Sequence, residues 1–171
     1  MGSEIEICIK SVALQQAAKE GMDAFIDVFV QAYATSVGGE LNVNALEKLN
    51  ADQISLWAYI ILRDELMTGG FVQLIHNGYG PFFFENPFAK VMRLWGLRDF
   101  SKLIYKAREY YIKYKDELTQ DLNEEEFMAL FERFPDFDEL DDQFVENEEE
   151  ITAAIAHYVD DSIENFAKIV D

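Results

Sequence analysis

Asn50-Ala51-Asp52-Gln53-Ile54-Ser55-Leu56-Trp57-Ala58-Tyr59-Ile60-Ile61-Leu62-Arg63-Asp64-Glu65-Leu66-Met67 decides the fold. Asn50 followed three residues later by Gln53 is an N-cap with its capping-box partner. The helix it opens is apolar on nearly all sides through Trp57, Ile60 and Ile61, so it belongs in the centre of a core. Its apolar run, Ile54 to Leu62, is broken by Ser55 and is far too short to span a bilayer. Gly69-Gly70 is expected to stop it.

Helical periodicity continues on both sides. Towards the N-terminus, Leu14, Ala18, Met22, Phe25, Phe29 and Ala32/Tyr33 mark one face of a helix from Ser11 to about Ser36, ended by Gly38-Gly39. Ile5, Ile7 and Ile9 alternate with polar residues, but no second strand is in view. Residues 1–10 are therefore expected to form an extended lead-in, with no meaning attached to Met1-Gly2-Ser3. Towards the C-terminus, Phe71 to His76 reads as a short helix closed by Asn77-Gly78. Asn86-Pro87 starts another that ends at Gly96, with Asn as cap and Pro at the first position. Phe100, Leu103/Ile104, Ala107, Tyr111, Tyr114 and Leu118 mark the most regular helix. Asn123 with Glu126 repeats the capping pattern ahead of Phe127, Leu130 and Phe131, and Pro135 breaks the chain. A short segment around Leu140 and Phe144 is expected next, then a last helix from about Asn147 to Val170. With half of 171 residues hydrophobic and 14 Phe and 8 Tyr to bury, the expectation is an all-α fold. It is read as a single compact multi-helix domain, 1–171, around a buried central helix.

The net charge of −19 is unevenly placed. Residues 1–115 hold 13 acids and 12 bases, whereas residues 116–171 hold 20 acids and 2 bases, Arg133 and Lys168. Such a surface repels nucleic acid and anionic membranes and attracts basic partners. Each acidic segment also carries an apolar stripe, so its acids are expected on folded helices. Lys90, Arg93, Arg98, Lys102, Lys106, Arg108, Lys113 and Lys115 form a local excess of +6 between 90 and 115. They are expected to neutralise part of the acidic third across a helix pair, or to mate with it in a homodimer, rather than to hold nucleic acid.

Motifs for catalysis are missing. His76 and His157 have no cysteine or carboxylate at zinc-ligand spacing, and no Gly-x-Ser-x-Gly elbow or phosphate loop occurs. Asp136-Phe137-Asp138-Glu139-Leu140-Asp141-Asp142 fails as a calcium loop, with Leu140 at the fifth position, Asp141 at the sixth and Asn147 at the twelfth. No cofactor and no dedicated metal are expected. Cys8 stands alone and forms no internal disulfide, and no signal peptide is evident, which suggests the cytoplasm.

The stretch Gly69-Gly70-Phe71-Val72-Gln73 through Asn77-Gly78-Tyr79-Gly80 resembles the signature of a bacterial helical domain family named for a DNA-mimic protein. Pro87-Phe88-Ala89-Lys90 through Trp95-Gly96-Leu97 resembles its next helix and glycine stop. Phe137-Asp138-Glu139-Leu140-Asp141-Asp142-Gln143-Phe144 and Tyr158-Val159 resemble its C-terminal segment. The resemblance covers roughly residues 50–170. The motif residues look architectural: the glycines allow a reversal, Phe71 plugs the core, and Gln73 and Asn77 can satisfy backbone groups freed at the turn. The resemblance implies a dimer whose carboxylates imitate DNA phosphates on the DNA-binding face of a protein.

On this reading the chain is a non-enzymatic interaction module for a basic, DNA-binding protein. The residues expected to form its acidic face are Asp121, Glu124, Glu125, Glu126, Asp136, Asp138, Glu139, Asp141, Asp142, Glu146, Glu148, Glu149, Glu150, Asp160, Asp161 and Glu164. Two alternatives stand beside it: an immunity or antitoxin-like protein capping a basic toxin, and an enzyme with a carboxylate or metal site.

Overall fold

The computed structural model describes residues 4–171, with Phe131 by its backbone only; Met1-Gly2-Ser3 and the stripe position expected of the Phe131 side chain lie outside the described residues. The protein is all-α apart from one short ladder. The described residues pack as two units, 4–60 with Thr152–Asp171, and Ile61–Ile151.

In the first unit, α1 (Ser11–Glu20), α2 (Met22–Val37) and α3 (Val43–Lys48) lead into α4 (Ala51–Leu74). The long helix expected from Ser11 breaks at Gly21, whose φ of 139° lies outside the helical region. The capping box opening α4 is present: Gln53 N donates to Asn50 Oδ1 at 2.8 Å and Asn50 N to Gln53 Oε1 at 3.0 Å. Leu56, Trp57, Ala58, Tyr59 and Ile60 are all buried in sequence, as a helix apolar all round requires. Ile26, Phe29, Tyr33, Ile155, Val159 and Phe166 complete this core.

The expected extended lead-in instead contains a strand. Cys8–Lys10 is a strand, β1, paired in parallel with β2 (Lys168–Val170). Ile7 and Ile9 face the core while Cys8 and Lys10 face solvent, the period-2 burial of a strand. Its partner is the segment expected to end the last helix. That helix, α9 (Asp138–Asp161), instead stops at Asp161, and a 3₁₀ turn at Ile163–Asn165 redirects the chain. Lys168 N then donates to Ile7 O at 2.7 Å.

In the second unit, Gly70 (φ 70°, ψ −168°) interrupts the helical backbone of α4 where the glycine pair was expected to stop it, and a second helical run begins at Phe71. A π-helical turn, Ile75–Tyr79, carries His76 and runs into α5 (Gly80–Phe84). α6 (Phe88–Leu94), α7 (Arg98–Leu118) and α8 (Glu124–Arg133) follow, then a 3₁₀ turn at Pro135–Phe137 and the start of α9. The segment expected around Leu140 and the helix expected from Asn147 are therefore one helix. Asn86 does not cap α6; its amide donates to Pro81 O at 3.3 Å. Asn123 does cap α8, accepting from Glu126 N at 2.8 Å. Phe71 packs 6.4 Å from Phe84 and 6.2 Å from Phe137, and Phe100 packs 6.0 Å from Phe144, forming an aromatic core.

Candidate partner-binding face

The N-terminal half of α9 has two chemically opposed sides. Leu140, Phe144 and Ile151 are buried, while Asp138, Glu139, Asp142, Glu146, Glu149 and Glu150 are exposed. At about 100° per residue those six carboxylates fall within an arc of about 120°. Asp138, Asp142, Glu146 and Glu150 stand one turn apart, a row with steps of about 6 Å along the axis. Spread over the roughly 18 Å from Asp138 to Glu150, the six average one charge per about 3 Å.

α8 adds a second anionic edge. Glu124, Glu125 and Glu126 occupy its first turn, where the helix dipole and unpaired N–H groups favour carboxylates. All three are exposed, as is Asp121 before the cap. Asp160, Asp161 and Glu164 are also exposed but belong to the first unit. Of the sixteen acids expected on the face, ten are thus exposed in the second unit.

The remaining three are half-buried and held by the fold. Asp136 accepts from Tyr114 OH at 3.0 Å. Glu148 lies 4.0 Å from the Arg63 guanidinium. Asp141 Oδ1 accepts from Phe71 N at 2.9 Å, the N–H released by the Gly70 kink. Burial pushes the Asp141 carboxyl up to about 7 against the lowering effect of that N–H, and the neighbouring Asp138 and Asp142 push the same way as burial. The glycine pair of the motif serves these contacts: a Cβ on Gly70 would overlap the Asp141 carboxylate, and one on Gly69 would overlap the Gln73 side chain. Gln73 and Asn77 do not serve the turn's backbone. Both amides donate to Glu65 Oε2, at 2.8 and 2.9 Å.

Among the described residues, the basic stretch makes no direct ion pair with the row. Lys106 pairs with Glu109 on its own helix at 3.0 Å, and Arg108 Nε donates to Phe84 O at 2.9 Å. Lys102 and Lys106 share a cleft of about 490 Å³ with Asp136 and Glu139, which brings opposite charges to one opening. Among the described residues, none of the thirteen exposed predicted carboxylates has a lysine or arginine nitrogen within 4.0 Å. Arg133 is paired instead with Glu117 at 3.1 Å.

Two exposed apolar side chains were not anticipated: Met128 on α8 and Val145 on α9, 61% and 50% accessible. Val145 falls off the stripe set by Leu140, Phe144 and Ile151, a signal already present in the helical spacing.

Among the described residues, an all-α scaffold turns a row of α9 carboxylates to solvent, none of them within 4.0 Å of a lysine or arginine nitrogen. The chain belongs to the DMP19-like protein family, whose model matches residues 47–162. It is 31% identical over 147 residues, 85% of this chain and 88% of the relative, to the DNA mimic protein DMP19 of Neisseria meningitidis serogroup B (strain ATCC BAA-335 / MC58). Among the described residues no helix is long and apolar enough to cross a membrane.

Proposed function

We propose that this protein acts by binding rather than catalysis, as a DNA mimic that occupies the basic DNA-binding face of a partner protein in the cytoplasm. The observation that carries this reading is the α9 row. Its six exposed carboxylates average one per about 3 Å of axis, and one strand of duplex DNA carries one charge per about 3.4 Å. A protein built to track phosphates with Lys and Arg side chains can meet these carboxylates with the same charge-assisted hydrogen bonds. The glutamates of α8 supply further anions on the same unit, and a homodimer would present the whole face twice. Similarity to a DNA mimic over most of the chain supports the same mechanism. Direct binding of nucleic acid or an anionic membrane is disfavoured by the charge of −19.

The test is retention and release. Host proteins held by the immobilised chain at low salt are eluted with short duplex DNA. At least one DNA-binding protein should be retained and then displaced by DNA, because both ligands need the same basic surface. Retained proteins that duplex DNA fails to displace would contradict mimicry, and retention of no basic protein would contradict the binding role itself.

A further inference from the structure

Asp141 departs from its neighbours in a way the acidic face alone does not require. It stands in the first turn of α9, three residues after Asp138 and one before Asp142, yet its carboxylate is turned inwards to the α4 kink. There it fills the space left by the missing Cβ of Gly70 and accepts the Phe71 N–H. The charged groups bearing on it are Asp138 and Asp142 from α9, while α4 contributes the Phe71 N–H. Among the described residues no lysine or arginine nitrogen lies within 4.0 Å of it. A half-buried acid beside two solvent-facing acids gains its charge only against desolvation and like-charge repulsion.

We propose that docking of a basic partner on the α9 row releases a proton from Asp141, making this residue the pH-sensitive element of the face; this rests on the binding role proposed above. Partner cations set against Asp138 and Asp142 cancel the repulsion those groups exert on Asp141. Its ionised form is then favoured, and the ionised carboxylate is the stronger acceptor for the Phe71 N–H. Linkage makes the effect reciprocal: protonating Asp141 must weaken partner binding. Freely exposed carboxylates cannot supply this response, because they remain ionised well below neutral pH.

The experiment uses nona-arginine as the cationic probe and the full chain. The Asp141 carboxyl carbon is titrated by NMR with and without saturating peptide, while the amides of Glu146, Glu149 and Glu150 report occupancy of α9. The free midpoint should lie near 7 and fall by about one pH unit on binding. Calorimetry in buffers of different ionisation enthalpy should then give release of about half a proton at pH 6.5, with affinity falling about fivefold from pH 8 to pH 6. Asp141→Asn, whose amide oxygen can still accept from Phe71, should lose both effects. An unchanged midpoint while the α9 amides report bound peptide, or equal proton release from the Asn variant, overturns the coupling. If the peptide leaves the α9 amides unmoved at every pH, the face itself is misassigned and the coupling falls with it.

Discussion

The hydroxyl of Tyr33 on α2 donates to the main-chain carbonyl of Phe166 at 2.8 Å. Gln53 Nε2 donates to the same oxygen at 3.0 Å, so one carbonyl just before β2 is held from two helices. Burial, with Asp52 second, raises the Tyr33 hydroxyl above the usual phenol range, and the group works here only as a neutral donor. Tyr33→Phe should cost about 1 kcal/mol in urea unfolding. Gln53→Ala should cost more, on the order of 1–2 kcal/mol, since it also uncaps Asn50 N. The double variant should exceed the sum, because a buried carbonyl then loses both donors. Strict additivity would mean that water takes over the oxygen.

Gly70 is constrained twice, by φ and by space. Its φ of 70° disfavours any Cβ, and a Cβ placed there would overlap the Asp141 carboxylate. Gly70→Ala should therefore destabilise by about 2–4 kcal/mol, and the amide of Phe71 should lose hydrogen-exchange protection. Gly96 also has a positive φ, 93°, but nothing lies within 4 Å of a Cβ there. Gly96→Ala should cost only about 1 kcal/mol. Equal losses at the two sites would show that backbone conformation alone sets the cost.

What could be read before the structure depended on how local each signal is. The cap at Asn50, the all-round apolar α4 and the stripe of α7 are contained within a few turns of chain, and the structure contains each of them. The exposure of Asp138, Asp142, Glu146 and Glu150 follows from the same spacing. The alternation of Ile5, Ile7 and Ile9 is a strand signal without a visible partner, because that partner lies about 160 residues away and Lys168–Val170 continues the helical spacing of Ile163 and Phe166. The 3₁₀ turn at Ile163–Asn165 redirects it, and Tyr33 and Gln53 hold the carbonyl of Phe166 that follows. The inward turn of Asp141 was hidden for the same reason. Its acceptor role is created by a kink seventy residues earlier; the spacing within α9 sets Asp141 nearer the buried Phe144 than Asp142 but says nothing of that role.

The stability of the free protein should carry the signature of Asp141. Its carboxyl is raised in the folded state to about 7 from the ordinary 3.8, so between those values the native state binds the extra proton. Stability contributed by this group is therefore highest at the acidic end of that window and falls as pH rises through 7. Asp141→Asn, neutral throughout, should be more stable than the parent at pH 8, by on the order of 1 kcal/mol after allowance for solvent screening. The difference should shrink steadily towards pH 5. Urea midpoints at pH 5, 7 and 8 provide the check, and a gap that does not change with pH contradicts the raised value.

Whether binding depends on the arrangement of acids or merely on their number can be decided by charge-matched variants. Asp138→Asn, Asp142→Asn, Glu146→Gln and Glu150→Gln together remove four charges from the row. Glu4→Gln, Glu20→Gln, Glu40→Gln and Glu47→Gln remove four from exposed positions elsewhere. Both proteins have the same net charge, and at about 0.15 M salt a Debye length of about 8 Å screens charges that the partner does not contact. A partner released by duplex DNA should bind the row variant at least tenfold more weakly, since several charge-assisted contacts are lost together. It should bind the matched control within about threefold of the parent. Equal weakening in the two variants would mean that the partner senses only overall charge, and a mimic that presents no spatial pattern has no means of choosing a DNA-binding face.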